Sequence, residues 1–566
     1  MNIGAAPPIG WRAAFPPAQW LHDYHLGSLP RDAVAGLTLA AYAIPVSLAY
    51  ATLAGLPPQA GIYGCMAGGV AYALFGSSRQ LAIGPTSAIS MLVGATIGGL
   101  AGGSAARYAD IAALTALVVG AMSLLAWALR LSSLVAFISE TILLGFKAGA
   151  AVTIAVTQLP KLFGVPGGGE HFFERIAILA RQLPDTNVAV LFLGLAALGL
   201  ILAGEKLLPG RPVALGVMAL TIVALSTTSL GGHGFPVVGD LPSGLPALRL
   251  PELRLRDVDG VIPLAFACLL LAYVEGVSAA RTLAQRHGDA IDARQELLGL
   301  GAANLAAALA QGYPVAGGLS QSSVNDKAGA TSALALVVAS LASGMCLLYL
   351  GGLLHNLPDV VLAAIVLVAV KGLVDVAELR RTWRLSRSEF LIAASAFAGV
   401  LLLGILKGVL IAAVISLLVL LRRAASPHVA SLGRVPGTDR FSDLERHPDN
   451  ERMPGALIVR VESGLFYFNV GHVRDEVRRL VGAAGPGLKV VVWDLSSSPG
   501  VDIAGTRLVG ELRAELAAAG VALRLVDARA SVRELLRAAL GEDAVAIDRR
   551  RSIADACELS TPRGSP

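Results

Sequence analysis

Between about residue 30 and residue 424, long apolar runs alternate with short polar breaks, and after that the pattern changes character. A helix needs roughly 20 apolar residues to cross a bilayer. By that measure the chain holds fourteen candidate spans, at 32–54, 58–76, 84–101, 108–130, 134–160, 187–204, 211–230, 259–280, 295–311, 317–328, 330–353, 357–375, 387–404 and 406–423. Two of them, 84–101 and 317–328, are too short or too polar to be ordinary spans.

Those two segments hold corresponding places in two halves of seven. Span 3 begins RQLAIGPTSAIS and span 10 begins GYPVAGGLSQSS, each an extended piece, then Gly or Pro, then a short helix start rich in Ser and Thr. Span 1 carries Pro45 near its middle (AIPVSLAYA), and span 8 has a polar patch at the same relative place (LAYVEGVSAAR). Seven is odd, so the second half enters from the opposite side, which makes an inverted repeat. Short, Gly/Pro-interrupted segments at matching places in two halves point to a transporter site. Non-helical backbone is tolerated at membrane depth only where protein buries it or a cavity receives it. A helix that starts there offers free N–H groups and about half a positive charge. Two such starts, at Pro85, Thr86 and Ser87 and at Gly318, Leu319, Ser320 and Gln321, would form an anion site without a side-chain cation. Packing of small residues between spans is the competing reading for any single serine.

Span 8 contains Glu275. A charge at the bilayer centre costs at least about 2.5–3.5 kcal/mol, so it needs a partner, water or a proton. Arg281 at the end of the span is a candidate structural partner. The functional reading is a coupling site that carries a proton or helps hold Na⁺, because burial favours the protonated carboxyl. Lys147, in GFKAG of span 5, is a second intramembrane charge that counterbalances a carboxylate or snorkels.

Residues 425–454 read as a polar linker ending in HPDNERMPG. Beyond it, GALIVRVESGLFYFNV reads as strand, HVRDEVRRLV as amphipathic helix, LKVVVWDLS as buried strand, IAGTRLVGELRAELAAAG as helix, VALRLVD as strand and ASVRELLRAALG as helix. This alternation predicts a small α/β domain over 455–566.

Composition agrees with a polytopic helical membrane protein. Of 566 residues, 55% are hydrophobic and 15% charged, against about 25% charged in soluble domains. The net charge of +5 matters less than where the cations lie. One set of short loops holds Arg79, Arg130, Lys206, Arg211, Arg281, Arg286, Arg294, Lys327, the cluster Arg380, Arg381, Arg384 and Arg387, and Arg422 and Arg423; the opposite short loops hold Arg107 and Lys407. The basic side is expected to be cytoplasmic, and an even span count then puts both termini there. The N-terminal segment, 1–30, lacks the pattern of a cleaved signal peptide, and its Trp20, His22 and His25 suit a membrane-surface anchor. Cys65, Cys268, Cys346 and Cys557 form no CxxC pair, so neither a disulfide framework nor a zinc site is expected. GAAGPG lacks the Lys-Ser/Thr of a phosphate loop, and there is no HExxH, G-x-S-x-G or His cluster. No enzymatic activity, cofactor or nucleic-acid partner is expected.

PVSLAYATLAGLPPQAGIYG, GPTSAIS, VEGVSAAR, PVAGGLSQSSVNDKAGA and, in the tail, VVWDLSSSPGVDIAGTRLV together resemble the SulP (sulfate permease) anion transporters, from about Leu29 to the end of the chain. The resemblance implies fourteen segments in a seven-plus-seven inverted repeat, split into core and gate domains over 31–424. It implies a substrate site between the starts of helices 3 and 10 facing helices 1 and 8, which adds Ser47 and Tyr50 of span 1. It further implies elevator-type movement of core against gate, and homodimers. The tail resembles a STAS domain, with room for a cytoplasmic partner. In soluble relatives a serine in a turn of that domain is phosphorylated; here the turn reads Asp502-Ile503-Ala504-Gly505, without a hydroxyl at its two central positions, so that switch is expected to be absent.

Two departures bear on function. Many relatives have Arg where this chain has Gln321, and Gln or Glu where it has Val46. A neutral Gln321 leaves a thin supply of positive charge for a divalent anion, which favours symport with a cation over simple exchange. The expectation is secondary active uptake of a small inorganic anion, sulfate first, with H⁺ as coupling ion, in a bacterial cytoplasmic membrane. Sodium-coupled bicarbonate transport and C4-dicarboxylate or chloride transport are the alternatives within the fold. A nucleobase symporter of the same fold, a membrane enzyme and a membrane-anchored scaffold are the readings further away.

Overall fold

The computed structural model describes residues 24–132, 140–169, 171–208, 211–227, 235–239, 244–252, 254, 257–541 and 552–557. Most of the expected N-terminal segment, with Trp20 and His22, lies outside the described residues, as do 133–139 at the head of span 5. The chain forms two compact units, Met1–Ser416 and Leu417–Pro566, whose border falls inside a helix.

Among the described residues, fourteen helices follow the predicted spans, all apolar but the short polar α10: α1 Leu29–Leu53, α2 Gln59–Phe75, α3 Ser87–Ala101, α4 Ala105–Ala128, α5 Glu140–Phe163, α6 Val188–Leu207, α7 Val213–Thr227, α8 Val258–His287, α9 Ala293–Leu309, α10 Leu319–Lys327, α11 Leu334–Leu350, α12 Asp359–Lys371, α13 Arg387–Leu403 and α14 Ile405–Ala425. Polar residues start several of them. Ser104, Asn187, Asp292 and Ser386 each cap a helix by accepting from backbone N–H groups of its first turn. The helix α8 runs past the predicted end of span 8, because RTLAQRH continues helical until left-handed Gly288 stops it. Two surface helices, Phe172–Gln182 and Val376–Leu385, occupy segments read as loops; their amphipathic period is short and dense in charge.

The packing sorts these helices into two groups. One is formed by α1–α4 and α8–α11, with α9 against α2 and α4 and α11 against α1 and α2. The other is formed by α5–α7 and α12–α13, with α13 and α12 against α5 and α6 against α12. These groups correspond to the core and gate divisions of the repeat. At the heart of the first group, β1 (Ile83–Gly84) and β2 (Ala316–Gly317) pair antiparallel, Ile83 opposite Gly317 and Gly84 opposite Ala316. Each two-residue strand leads into a short helix, β1 into α3 and β2 into α10, so equivalent pieces of two halves meet head to head.

Two buried carboxylates brace this group. Asp32, in the first turn of α1, accepts from the Thr331 and Ser332 N–H groups at 2.6 and 3.2 Å and from the Ser332 hydroxyl at 2.6 Å, tying α1 to the turn after α10. Glu296 of α9 accepts from the Tyr72 hydroxyl at 2.8 Å, the Ser77 hydroxyl at 2.6 Å and the Ser77 N–H at 3.0 Å, which fixes the turn before β1. A carboxylate with this many donors can stay buried.

The second unit is an α/β domain with a five-stranded sheet in the order β4-β3-β5-β6-β7. Its strands are β3 Val429–Arg434, β4 Phe441–Asp443, β5 Ala456–Val461, β6 Val490–Asp494 and β7 Ala522–Val526, and the last three run parallel. Fully buried Trp493 centres one face, packed with residues of α15 (Val470–Ala484), α16 (Ile503–Ala518) and α17 (Ala530–Leu540). Two expectations need correction. The segment 425–454 is not a linker: it supplies β3, which pairs antiparallel with β5, and β4 at the sheet edge. Its polar turn residues masked two short strands. Conversely, strand β5 stops at Val461, and the LFYFN stretch turns instead, with Asn469 accepting from the Phe466 N–H at 2.9 Å.

Candidate functional site

The sequence around α3 and α10 dictates an unusual local structure. Thr86 and Gly318 are the cap residues of these helices, both extended, and among the described residues no side chain caps either one. The first intrahelical bonds are Ser90 N–H to Thr86 O and Ser322 N–H to Gly318 O, so the N–H groups of residues 87–89 and 319–321 lack helical acceptors. Both heads are locked from behind. The Ser322 hydroxyl accepts from the Ala82 N–H at 2.9 Å, and Asn325 donates to the Gln80 carbonyl at 3.0 Å. Asn304 of α9 exchanges two bonds of 3.0 Å with the Val315 backbone before β2. Close approach requires glycine here: a Cβ on Gly317 would lie 2.8 Å from Leu81 Cδ2 and 3.0 Å from Gly276 Cα of α8.

The two heads open into a cavity of about 500 Å³. Pro85, Thr86, Ser87, Gly318, Leu319, Ser320 and Gln321 all line it, as do Tyr50 of α1 and Glu275 of α8. Tyr42, Val46 and Tyr50 follow one another at four-residue spacing and give α1 a stripe along the wall; Glu275, Ser278 and Thr282 do the same for α8. The gate side contributes Lys147 of α5 and, beyond α12, Gly372, Leu373 and Asp375. A cavity of about 570 Å³ shares Tyr42, Leu319 and Ser320 with it and contains Glu205, Arg211 and Lys327; the helix heads and Glu275 belong to the first.

Ser47 is the exception among the expected residues. It sits one residue round α1 from Val46, about 100° away, and is buried outside the cavity, with its backbone carbonyl packed on Gly61 of α2. Its place in the wall belongs to Val46.

Among the described residues the cavity holds one ion pair, and Asp375, which caps the helix after it, is a second carboxylate on its lining. Lys147 Nζ lies 3.8 Å from Glu275 Oε1, with the two side chains 31% and 11% exposed. Lys147, not Arg281, is therefore the partner of Glu275. The Thr86 hydroxyl is buried and, among the described residues, has no hydrogen-bond partner, while the Gln321 amide reaches the Pro85 carbonyl at 3.4 Å. The sequence offers Lys147 as the counter-charge of a carboxylate without naming which, and it does not mark Tyr42, Ser278 or Thr282. The eight-residue spacing of Tyr42 and Tyr50, which puts both on one face, was the available signal for α1.

Residues 29–396 match the sulfate permease family, and residues 447–552 match the STAS domain. The chain belongs to the sulfate permease family. It is 34% identical over 539 residues to a probable sulfate transporter of Mycobacterium tuberculosis, an alignment that covers 94% of this chain and 96% of that relative. It is 28% identical to a probable sulfate transporter of Arabidopsis thaliana, over 99% of this chain and 90% of the relative. The fold matches that of the murine anion transporter Slc26a9 with a TM-score of 0.87 at 22% identity, covering 98% of this chain and 96% of that one. It matches the transmembrane domain of the cyanobacterial bicarbonate transporter BicA with a TM-score of 0.61 at 22% identity, covering 69% of this chain and 98% of that one.

This sulfate permease homologue is therefore a multi-pass membrane transporter with a C-terminal STAS domain, and not an enzyme. Its site lacks an arginine at position 321, and a lysine from a different helix stands in the same cavity.

Proposed function

We propose that this protein takes up a small oxyanion, sulfate first, together with a proton. The observation that carries the reading is the Lys147–Glu275 pair in a cavity headed by two uncapped helix N-termini. An anion seated there accepts from the free N–H groups of α3 and α10 and from Lys147. Glu275, whose cation the anion then shares, takes the proton, so anion and proton enter together. The lysine beside Glu275 also argues for a proton over Na⁺, since a second cation next to Nζ is repelled. Sulfate is the substrate that the names of the two relatives above carry. Transfer is assigned to movement of the group α1–α4 and α8–α11 against the group α5–α7 and α12–α13, the elevator arrangement. The one-sided distribution of short-loop arginines supports cytoplasmic termini.

The test is uptake of labelled sulfate and labelled bicarbonate into proteoliposomes, first with an inward proton gradient and then with a sodium gradient. Sulfate accumulation driven by protons is expected. Bicarbonate accumulation driven by sodium would keep the cavity and overturn the assignment of both ions.

A further inference from the structure

The segment 376–385, between α12 and α13, plays no part in this reading, yet its structure is distinctive. It forms the ten-residue helix Val376–Leu385, capped by Asp375, which accepts from the Glu378 N–H at 2.9 Å. Backbone breaks isolate it at both ends. The helix α12 stops at Lys371, and Ser386, extended at φ −153° and ψ 105°, separates the short helix from α13. Val376, Leu379 and Trp383 recur at i, i+3 and i+7 and share one face. Arg380, Arg381 and Arg384 occupy the face beside it, and the Arg387 guanidinium lies 5.8 Å from the centre of the Trp383 ring.

All four arginines are exposed. Arg381 pairs with Glu378 at 3.4 Å; among the described residues the other three pair with no carboxylate. The apolar side chains are open too: Trp383 is 48% and Leu385 74% exposed, although Trp383 touches Phe390 edge-on. A helix facing only water would hide its tryptophan. A short helix with unpaired arginines beside exposed Trp, Val and Leu has the composition of a segment lying in the headgroup layer. Its connections agree, since it joins two apolar membrane helices and, at about 15 Å long, stays near the level where they end.

We propose that this helix is a docking surface for the headgroups of anionic phospholipids. Guanidinium groups match phosphate oxygens in a forked geometry, and the apolar side chains beside them suit the start of the acyl chains. Gly372, Leu373 and Asp375, at its near end, line the candidate cavity, so lipid bound here touches the segment that forms one wall of the site. The inference rests on the helix itself and not on the identity of the transported ion.

The experiment uses the full-length protein in vesicles of brominated phosphatidylglycerol or brominated phosphatidylcholine, and reads quenching of Trp383 as the difference between wild type and Trp383→Phe. The anionic lipid is expected to quench Trp383 several-fold better than the neutral one, with a contribution on the order of five-fold from each arginine that reaches the surface. The triple variant R380Q/R384Q/R387Q is expected to lose this preference and the corresponding triple lysine variant to keep most of it. Equal quenching by the two lipids in the wild type, or a preference that survives in the triple glutamine variant, would overturn the proposal. Abolition of the preference by inorganic phosphate at constant ionic strength would assign the site to free phosphate and overturn it equally.

Discussion

Lys147 Nζ stands 3.8 Å from Glu275 Oε1, and both side chains face the cavity at the heads of α3 and α10. Each charge is tolerated there because the other is present. Lys147→Met is expected to destabilise the protein by about 1–2 kcal/mol, less than for a fully buried pair because solvent reaches a third of the lysine. The double variant K147M/E275Q is expected to recover most of that loss. Thermal unfolding in detergent checks both, and a double variant no more stable than K147M would contradict the pairing.

The contact between α8 and β2 sets a graded test of the site's scaffold. A Cβ at Gly317 would meet Leu81 at 2.8 Å and the Gly276 backbone at 3.0 Å, whereas a Cβ at Gly276 would find its nearest neighbour at 3.8 Å. Gly317→Ala is therefore expected to lower uptake about ten-fold or more by displacing the head of α10, and Gly276→Ala to leave it nearly unchanged. Uptake rates at matched protein content decide the matter; equal effects of the two substitutions would show that the close approach is not what matters.

The fold was largely legible because the apolar runs are long and the two broken ones, at 84–101 and 317–328, stand out by their Gly, Pro and Ser. The same breaks mark seven residues that the fold gathers into one cavity, since a helix head at membrane depth needs that composition. Ser47, which the family resemblance brought in, stays outside the cavity because neighbouring positions on α1 face different ways, and the apolar Val46 lines the wall instead. The partner of Glu275 was not readable from span 8, as Lys147 comes from a helix more than a hundred residues earlier in the chain. The strands β3 and β4 were hidden for a different reason: a short edge hairpin with exposed turn residues has the composition of a linker.

Asp32 offers a stability test away from the cavity. Its carboxylate accepts from two backbone N–H groups and two hydroxyls of Thr331 and Ser332. Asp32→Ala would leave those donors buried without acceptors, and a loss of about 2–4 kcal/mol is expected. Asp32→Asn retains one acceptor oxygen and should lose less. Unfolding midpoints in detergent give the order, and an alanine variant as stable as the asparagine variant would contradict the role assigned to the carboxylate.

The second unit carries a pH-dependent contact in Asp443 and His428, whose Oδ2 and Nε2 are 2.9 Å apart. Burial pushes the Asp443 carboxyl up, but the His428 hydrogen bond, the Glu445 N–H and the charges of His428 and Arg446 outweigh it and hold the group below its ordinary value of 3.8. A depressed folded value stabilises the domain fully above that ordinary value, and the contribution disappears as the pH falls through the lower folded one. Asp443→Asn should therefore be less stable than wild type at neutral pH and flatten the acid limb of its stability profile. Unfolding of the full chain, followed by Trp493 fluorescence between neutral and strongly acidic pH, tests this; parallel profiles for the two proteins would contradict it.

Two helix heads and Lys147 make up the anion site proposed above, and relocating the charge tests that site directly. Equilibrium binding of labelled sulfate would be measured on purified wild type, Lys147→Gln, and the double variant K147Q/Q321R. Loss of the lysine is predicted to weaken binding roughly ten-fold or more, and an arginine at position 321, at the head of α10, to restore most of it. Wild-type affinity in Lys147→Gln, or a double variant that binds no better than the single one, would contradict the account.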